Sequence, residues 1–508
     1  MEQSNLAKLI SNYGSKLWSM ISVFIFIPLY IKFLGTENYG LIGFYALLLG
    51  IISFADSGMS SAIIKEFSQD SDSNYKYSVL KNLEKIYIFV CSIMCIAIFF
   101  SSSFIADRWI SANGISKIDL VYYVRLIGLG VTTQLTSSLY FGALFALNRQ
   151  VGANLLQFFW SFSRSALVLL LFLIFSKSIE IYFIWQIVCN VGYILILRSL
   201  IINQLSIANA GLALKKEFNK LPSHMVQYIG GMIFIAIISA INIQADKLVT
   251  SSMFDLATFG FYNIASSLAQ IPVIFATPLI AFAFPLFSKF SSGNEDDAKI
   301  KSLEVFNKVF YLINIIGLVL TSGIFFYSKE ILTLWTGNSV PSSVFNEIVV
   351  DVQLLIIGSF FLALQLPLYY LLLSKGKTKY TIYQGGVQLL IGIPLLYYCS
   401  NKYGLIGIPI PWLLINFAAF VYLFIIVNKG FLNFATSNFY KEIMFFPAII
   451  CVFINLVFYM LYYQLQIAFL PFLLVGCAMS ILASFIYFNF KSKRSLRSYK
   501  HFYNFPNE

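Results

Sequence analysis

Residues 347–373 read EIVVDVQLLIIGSFFLALQLPLYYLLL. Apart from Glu347 and Asp351 the run is uncharged, and its apolar residues are continuous rather than alternating. About 20 apolar residues are enough for a helix to cross the hydrocarbon of a bilayer. Working outward, similar runs fill the chain: 17–34, 39–63, 86–105, 119–147, 152–175, 178–200, 223–248, 259–287, 304–327, 381–399, 405–427, 442–463 and 466–489. Only helices or closed barrels can span a membrane, because hydrocarbon offers no partners to bare backbone groups. A barrel strand alternates apolar and polar residues, and these runs do not. The expected fold class is therefore all-α: a polytopic membrane protein with about 14 transmembrane helices.

Composition agrees. Hydrophobic residues make up 59% and charged residues 11%, against about 25% charged in an ordinary soluble domain. The net charge of +12 does not indicate nucleic acid, because its lysines and arginines sit in the connections. With a cytoplasmic N-terminus, 25 of the 34 Lys and Arg fall in or beside the cytoplasmic connections, six in or beside the outer ones, and Arg125, Arg164 and Lys247, inside runs, are assigned to neither. Such a bias orients a membrane protein and predicts that both ends are cytoplasmic. No cleavable leader is expected, since no small-residue cleavage site follows the first run. The six cysteines all lie in apolar runs without metal-ligand spacing, which predicts packed or lipid-facing thiols.

Several chemistries are excluded. No connection much exceeds about twenty residues, too short for a soluble catalytic domain. Gly376-Lys377-Thr378 resembles the tail of a phosphate-binding loop, but the required glycine five residues earlier is replaced by Leu371. The two histidines, His224 and His501, form no cluster. No metal site, enzyme active site or cofactor is expected. Work done by this chain must draw on an ion gradient, H+ or Na+, on a partner, or on downhill consumption of its cargo.

The second half echoes the first. Phe33-Leu34-Gly35-Thr36-Glu37-Asn38-Tyr39-Gly40-Leu41 links the first two runs, and Met253-Phe254-Asp255-Leu256-Ala257-Thr258-Phe259-Gly260-Phe261 links the seventh and eighth. Tryptophan-bearing loops follow runs three and nine, at Trp109 and Trp335, and basic turns follow runs four and ten. This predicts an N-lobe over 1–205, a cytoplasmic linker over 206–222 and a C-lobe over 223–430. Two added spans (431–490) and a basic cytoplasmic tail (491–508) complete the chain. Two parallel six-helix lobes imply a pseudo-two-fold axis along the membrane normal and a central cavity.

These motifs resemble a family in series. Tyr30-Ile31-Lys32-Phe33-Leu34-Gly35-Thr36-Glu37-Asn38-Tyr39-Gly40 is similar to its opening pattern, an aliphatic run followed by LG, an acidic residue and YG. Phe54-Ala55-Asp56-Ser57-Gly58-Met59-Ser60-Ser61-Ala62 resembles its DxGLSSA, and Gln244-Ala245-Asp246-Lys247 its QADR/K. Ser374-Lys375-Gly376-Lys377-Thr378-Lys379, followed by Lys402-Tyr403-Gly404-Leu405-Ile406-Gly407, resembles its GKTK and KYGxxG. The family is that of the polysaccharide lipid flippases, the O-antigen and capsule translocases of the MATE-like multidrug/oligosaccharidyl-lipid/polysaccharide superfamily. The resemblance covers residues 1–430. It implies transfer of an undecaprenyl-diphosphate-linked oligosaccharide from the inner to the outer leaflet of a bacterial inner membrane, by lobes that alternate between inward- and outward-open shapes. It also implies membrane lipids, and a polysaccharide polymerase and chain-length regulator, as partners. Alternatives are a same-fold antiporter, a peptidoglycan-precursor translocase, or a polymerase or ligase of the same pathway.

Ionisable residues inside spans are costly and usually face a cavity or a partner. Arg164, near the middle of 152–175, is a candidate headgroup ligand; the alternative is an internal salt bridge. Arg125 is a second candidate ligand, or else reaches the outer interface by snorkelling. Ser239, Asn242 and Asp246 share a helix face by their spacing, flanked by Gln244, and this face is expected to line the cavity. There Asp246 is assigned to cation coupling and Lys247 to the headgroup, unless the two merely form a local ion pair. Asp56 is either a proton or Na+ site, or pairs with Lys65 or Arg149. Asp351 is expected to be solvated. Pro272, Pro278 and Pro285 should divide the eighth run and Pro367 should interrupt the tenth.

Overall fold

In the computed structural model the described residues of each of the fourteen runs lie mainly on helix. The structure describes residues 5–67, 72–147, 149–209, 213, 215–216, 220–291, 296–337, 340–429 and 444–502. Among them nine helices, and one further bent pair, are long and apolar enough to cross a membrane. The chain is a multi-pass membrane protein. It forms two compact units, Met1–Ile264 and Ala265–Glu508. The first thus takes in chain beyond the 206–222 linker.

The first unit contains α1 (Asn5–Leu34), α2 (Thr36–Phe67), α3 (Ser73–Phe104), α4 (Lys117–Ala146), α5 (Gln150–Phe162), α6 (Val168–Ile174), α7 (Ile179–Ala208), α8 (Ser223–Met253) and the start of α9 (Leu256–Ala269). Helix starts are marked by local chemistry. Asp72 caps α3 by accepting from the Asn74 amide at 3.1 Å, and Ser116 caps α4 by accepting from Asp119 at 3.2 Å. Such a cap is worth about 1 kcal/mol. Tyr87, Leu83, Leu139 and Ile201 are packed at the core of this unit.

Inside a bilayer, lipid is as apolar as leucine, so helices associate through close packing and hydrogen bonds. Gly40 illustrates this. It lies where α2 meets the start of α9, and a Cβ there would run into the Leu256 carbonyl. A Cβ on Gly260 would come within 3.2 Å of the Gly40 nitrogen. The two repeated motifs of the sequence are therefore packed against each other. The loop after α3 completes the contact. Ser111 bridges to Asp255, the Leu256 amide donates to the Ser111 carbonyl at 2.8 Å, and Trp109 Nε1 donates to Ser251 at 3.0 Å.

The second unit contains α10 (Ile271–Ser291), α11 (Asp296–Phe326), α12 (Ser328–Thr336), α13 (Ser342–Ser374), α14 (Lys379–Tyr403), α15 (Pro409–Val427), α16 (Phe446–Leu465) and α17 (Phe469–Phe502). Phe306, Phe310, Leu364 and Phe424 lie in its core. The α16–α17 hairpin docks on α11 through Asn455, whose side-chain amide donates to Ser322 and to Ser480, each at 3.0 Å. Elsewhere the hairpin presents large apolar side chains outward, including Phe453, Leu474 and Phe485.

The prolines behave unequally. The eighth run breaks at Gln270, with a 43° bend between Leu256–Ala269 and Ile271–Phe284. Pro272 has no amide hydrogen to give the Leu268 carbonyl and its ring crowds that carbonyl, so α9 stops and the proline sits in the first turn of α10, where no amide is needed. Pro367 does not interrupt α13, which is continuous from Ser342 to Ser374. Prolines are tolerated in membrane helices where neighbours satisfy the freed carbonyl, and Pro367 is buried among them.

Candidate functional site

Arg164 sits on a turn of π-helix, Ser163–Leu167, inserted between α5 and α6. A π turn is wider than an α turn and leaves carbonyls without their usual amide partners. In hydrocarbon each such group costs several kcal/mol unless it finds another donor. Three side chains supply donors. Trp185 Nε1 donates to the Ser163 carbonyl at 3.0 Å, Gln186 Nε2 to the Arg164 carbonyl at 3.2 Å, and the Tyr30 hydroxyl to the Ser165 carbonyl at 3.0 Å. Helices α1 and α7 therefore hold the turn open from two sides.

The guanidinium is held as firmly as its backbone. Its Nε donates to Gln186 Oε1, one Nη donates to the Tyr45 hydroxyl at 3.4 Å, and its plane lies 4.6 Å from the centre of the Trp160 ring. Tyr45 in turn donates to Gln134 on α4 at 2.7 Å. Trp160 donates to Asn190 at 3.2 Å and stacks on Tyr193 with ring centres 4.9 Å apart. Asn190 donates to the Gly130 carbonyl at 3.0 Å. Every one of these partners is neutral. Among the described residues no carboxylate lies within ion-pair distance of Arg164, so the internal salt bridge that the sequence allowed is not formed. A guanidinium has five N–H donors, and two are engaged here. A half-buried cation fixed in a neutral cradle is suited to an anion from outside the protein.

The other candidates sit elsewhere. Asp246, on α8, accepts from the Tyr262 hydroxyl at 2.8 Å and pairs with Lys247 at 3.3 Å, while its Oδ1 has no partner. Asn242 is half-buried and Gln244 lies against Gly50 of α2. The side chain of Ser239 lies outside the described residues. Asp56 is buried and accepts from Tyr87 of α3; Lys65, its possible partner, has a side chain outside the described residues. Arg125 is not simply extended to an interface. Its Nε donates to Ser102 at 3.1 Å and its guanidinium lies 4.2 Å from the Phe99 ring centre, which ties α4 to α3. The structure does not place Asp246 or Asp56 in contact with Arg164.

Asp351 requires a correction. It was expected to be solvated, yet it is 0% exposed and neither carboxylate oxygen has a hydrogen-bond partner among the described residues. The end of a span is not the end of the protein there, because α12 and the turn Gly404–Gly407 also pack against α13. Outside the spans, the Lys216 amine is held below the usual lysine range by partial desolvation and by the Lys85 and Lys81 ammoniums.

Reading the sequence by charge alone missed Gln186, Tyr45, Gln134, Asn190 and Trp160. A signal for two of them existed, since Gln186 and Asn190 lie four residues apart in an apolar run and so share a helix face.

Comparison with known proteins adds to this geometry. The profile of a family described as polysaccharide biosynthesis protein matches residues 6–291. A Shigella flexneri protein assigned as an O-antigen transporter is 23% identical over 383 residues, covering 75% of this chain and 87% of that one. The solved structure of the lipid II flippase MurJ, in an inward closed conformation, matches with a TM-score of 0.72 at 16% identity, over 97% of this chain and 100% of that one. An inward-facing multidrug resistance MATE family transporter of the MOP superfamily matches with a TM-score of 0.63 at 13% identity, over 82% and 95%. At such identities the two structures share the fold. The proteins matched are transporters and flippases, not enzymes.

Proposed function

The chain belongs to the polysaccharide biosynthesis protein family, and on that premise we propose that it moves an undecaprenyl-diphosphate-linked oligosaccharide from the inner to the outer leaflet of a bacterial inner membrane. A sugar chain on a diphosphate cannot cross hydrocarbon unaided, because its polar groups would lose their hydrogen bonds to water. The observation that carries this reading is Arg164: a cation near mid-span, fixed by neutral groups and opposed by no carboxylate among the described residues. In this role its unengaged N–H donors take phosphate oxygens, for which the planar guanidinium is well matched.

Lys247 is a second cation for the headgroup, but its charge is shared with Asp246, so its contribution is the smaller. Arg125, tied to Ser102 and Phe99, acts by holding α4 in place. Polymerase and chain-length proteins then receive the product.

The test is a strain lacking this gene, complemented with the wild-type chain or with Arg164→Ala. The expected result is loss of surface polysaccharide without the gene, accumulation of lipid-linked units on the cytoplasmic leaflet, and no rescue by Arg164→Ala. Units that reach the outer leaflet but fail to polymerise would overturn the reading and point to a polymerase.

A further inference from the structure

Headgroup binding at Arg164 makes no use of Asp351, a buried carboxylate with both oxygens unpartnered among the described residues. It lies on α13 of the second unit, 0% exposed. The other two buried aspartates contrast with it: Asp246 has Tyr262 and Lys247, and Asp56 has Tyr87. Among the described residues no lysine or arginine lies within ion-pair distance of Asp351.

The charged groups nearby are accounted for. Glu347, on α13 itself, is exposed. On α12, Lys329 is exposed and Glu330 lies beside Tyr327 and Tyr462. At the end of α14, Lys402 is exposed over the rings of Tyr398 and Tyr403. The charges of α11, from Asp296 to Lys308, occupy its opening turns, remote from its Phe326 end where α12 begins, and Tyr311 on that helix donates to Ser484. On α10 the basic residue is Lys289, in its last turn, and α15 and the turn Gly404–Gly407 carry no charge.

An ionised carboxylate with neither donor nor cation is costly in this setting, whereas the neutral acid is tolerated. A purely structural aspartate would be expected to bond something. We infer that Asp351 holds a proton in this conformation and gives it up in another, so that the second unit carries one proton through each transport cycle. The carboxylic O–H bond breaks when the site opens to water on one side, the proton passes to that water, and the carboxylate takes another from the opposite side. The driving force is a proton gradient. This inference rests on the transport reading above.

The test uses the full chain, purified and placed in lipid vesicles. Dicyclohexylcarbodiimide, which attacks protonated carboxyls in apolar surroundings, is applied across a pH series, and the peptide holding Asp351 is weighed by mass spectrometry. Modification of Asp351 should fall about tenfold from acid to alkaline buffer and be indifferent to exchange of Na+ for choline. No modification at any pH, or protection by Na+, overturns the assignment; the second outcome makes it a metal-cation site. Asp351→Asn should then abolish the response of transport to an imposed pH gradient, and Asp351→Glu should restore it. An Asp351→Asn chain with an unaltered gradient response also overturns it. The labelling arm needs no variant, so misfolding of Asp351→Asn leaves the question decidable. A wild-type chain that labels as expected but moves no lipid-linked oligosaccharide counts against the cargo, not against Asp351.

Discussion

Arg164 and Asp351 are both ionisable, both within apolar runs, and opposite in their surroundings. Around Arg164, four helices contribute neutral donors and acceptors until both the guanidinium and its irregular backbone are bonded. Among the described residues neither carboxylate oxygen of Asp351 is bonded. The difference teaches that the partners of a buried charge reveal its task better than the charge itself. A permanent cation must be held in place while an anion comes and goes. A group that exchanges a proton is better left without a permanent partner, since a bonded counter-charge would lock one protonation state.

The comparison can be broken at Arg164 first. Arg164→Ala should reduce delivery of surface polysaccharide about thirtyfold or more, as expected for a buried charge contact worth about 2 kcal/mol. Arg164→Lys should recover only part of it, because an ammonium cannot reproduce the planar fork or its stack on Trp160. Full recovery with lysine would show that charge alone matters. In the same cradle, Gln186→Leu removes a partner from the guanidinium and a donor from the Arg164 carbonyl. Transport rate in vesicles should drop about tenfold with the fold retained, an effect of about 1.4 kcal/mol.

Two packing variants sharpen the contrast by testing positions of purely mechanical importance. Gly40→Val should lower stability by about 1–3 kcal/mol, since the added methyls meet the α9 backbone; thermal unfolding in detergent would measure it. Asn455→Ala removes the bonds from α16 to Ser322 and Ser480. It should cost about 0.6 kcal/mol per interhelical bond and leave transport intact. A transport defect there, without instability, would mean that buried polar groups of the second unit act together and not through Asp351 alone.

Much of the fold was legible in the chain. Run length and continuity are local properties, and the described residues of each of the fourteen runs lie mainly on helix. The Tyr39-Gly40 and Phe259-Gly260 repeat was legible as repetition, but not as a mutual contact. Arg164 stood out because one charge in an apolar run has a definite cost. Its cradle did not, because Tyr45, Gln134, Gln186 and Asn190 come from three helices distant in sequence. Asp351 was misread for a related reason: closeness to the end of a run measures depth along one helix, whereas its burial comes from neighbouring elements.

By itself, then, the sequence determined that this is an all-helical multi-pass membrane protein with an arginine deep in one span, because hydropathy and the cost of a buried charge act residue by residue. Only the tertiary structure decided that Arg164 rides on a π turn held by side chains from α1 and α7, that Asp246 is paired, and that Asp351 is alone. Hydrogen bonds and burial depend on which helices meet, and in a bilayer that depends on the fit of surfaces whose residues are hundreds of positions apart.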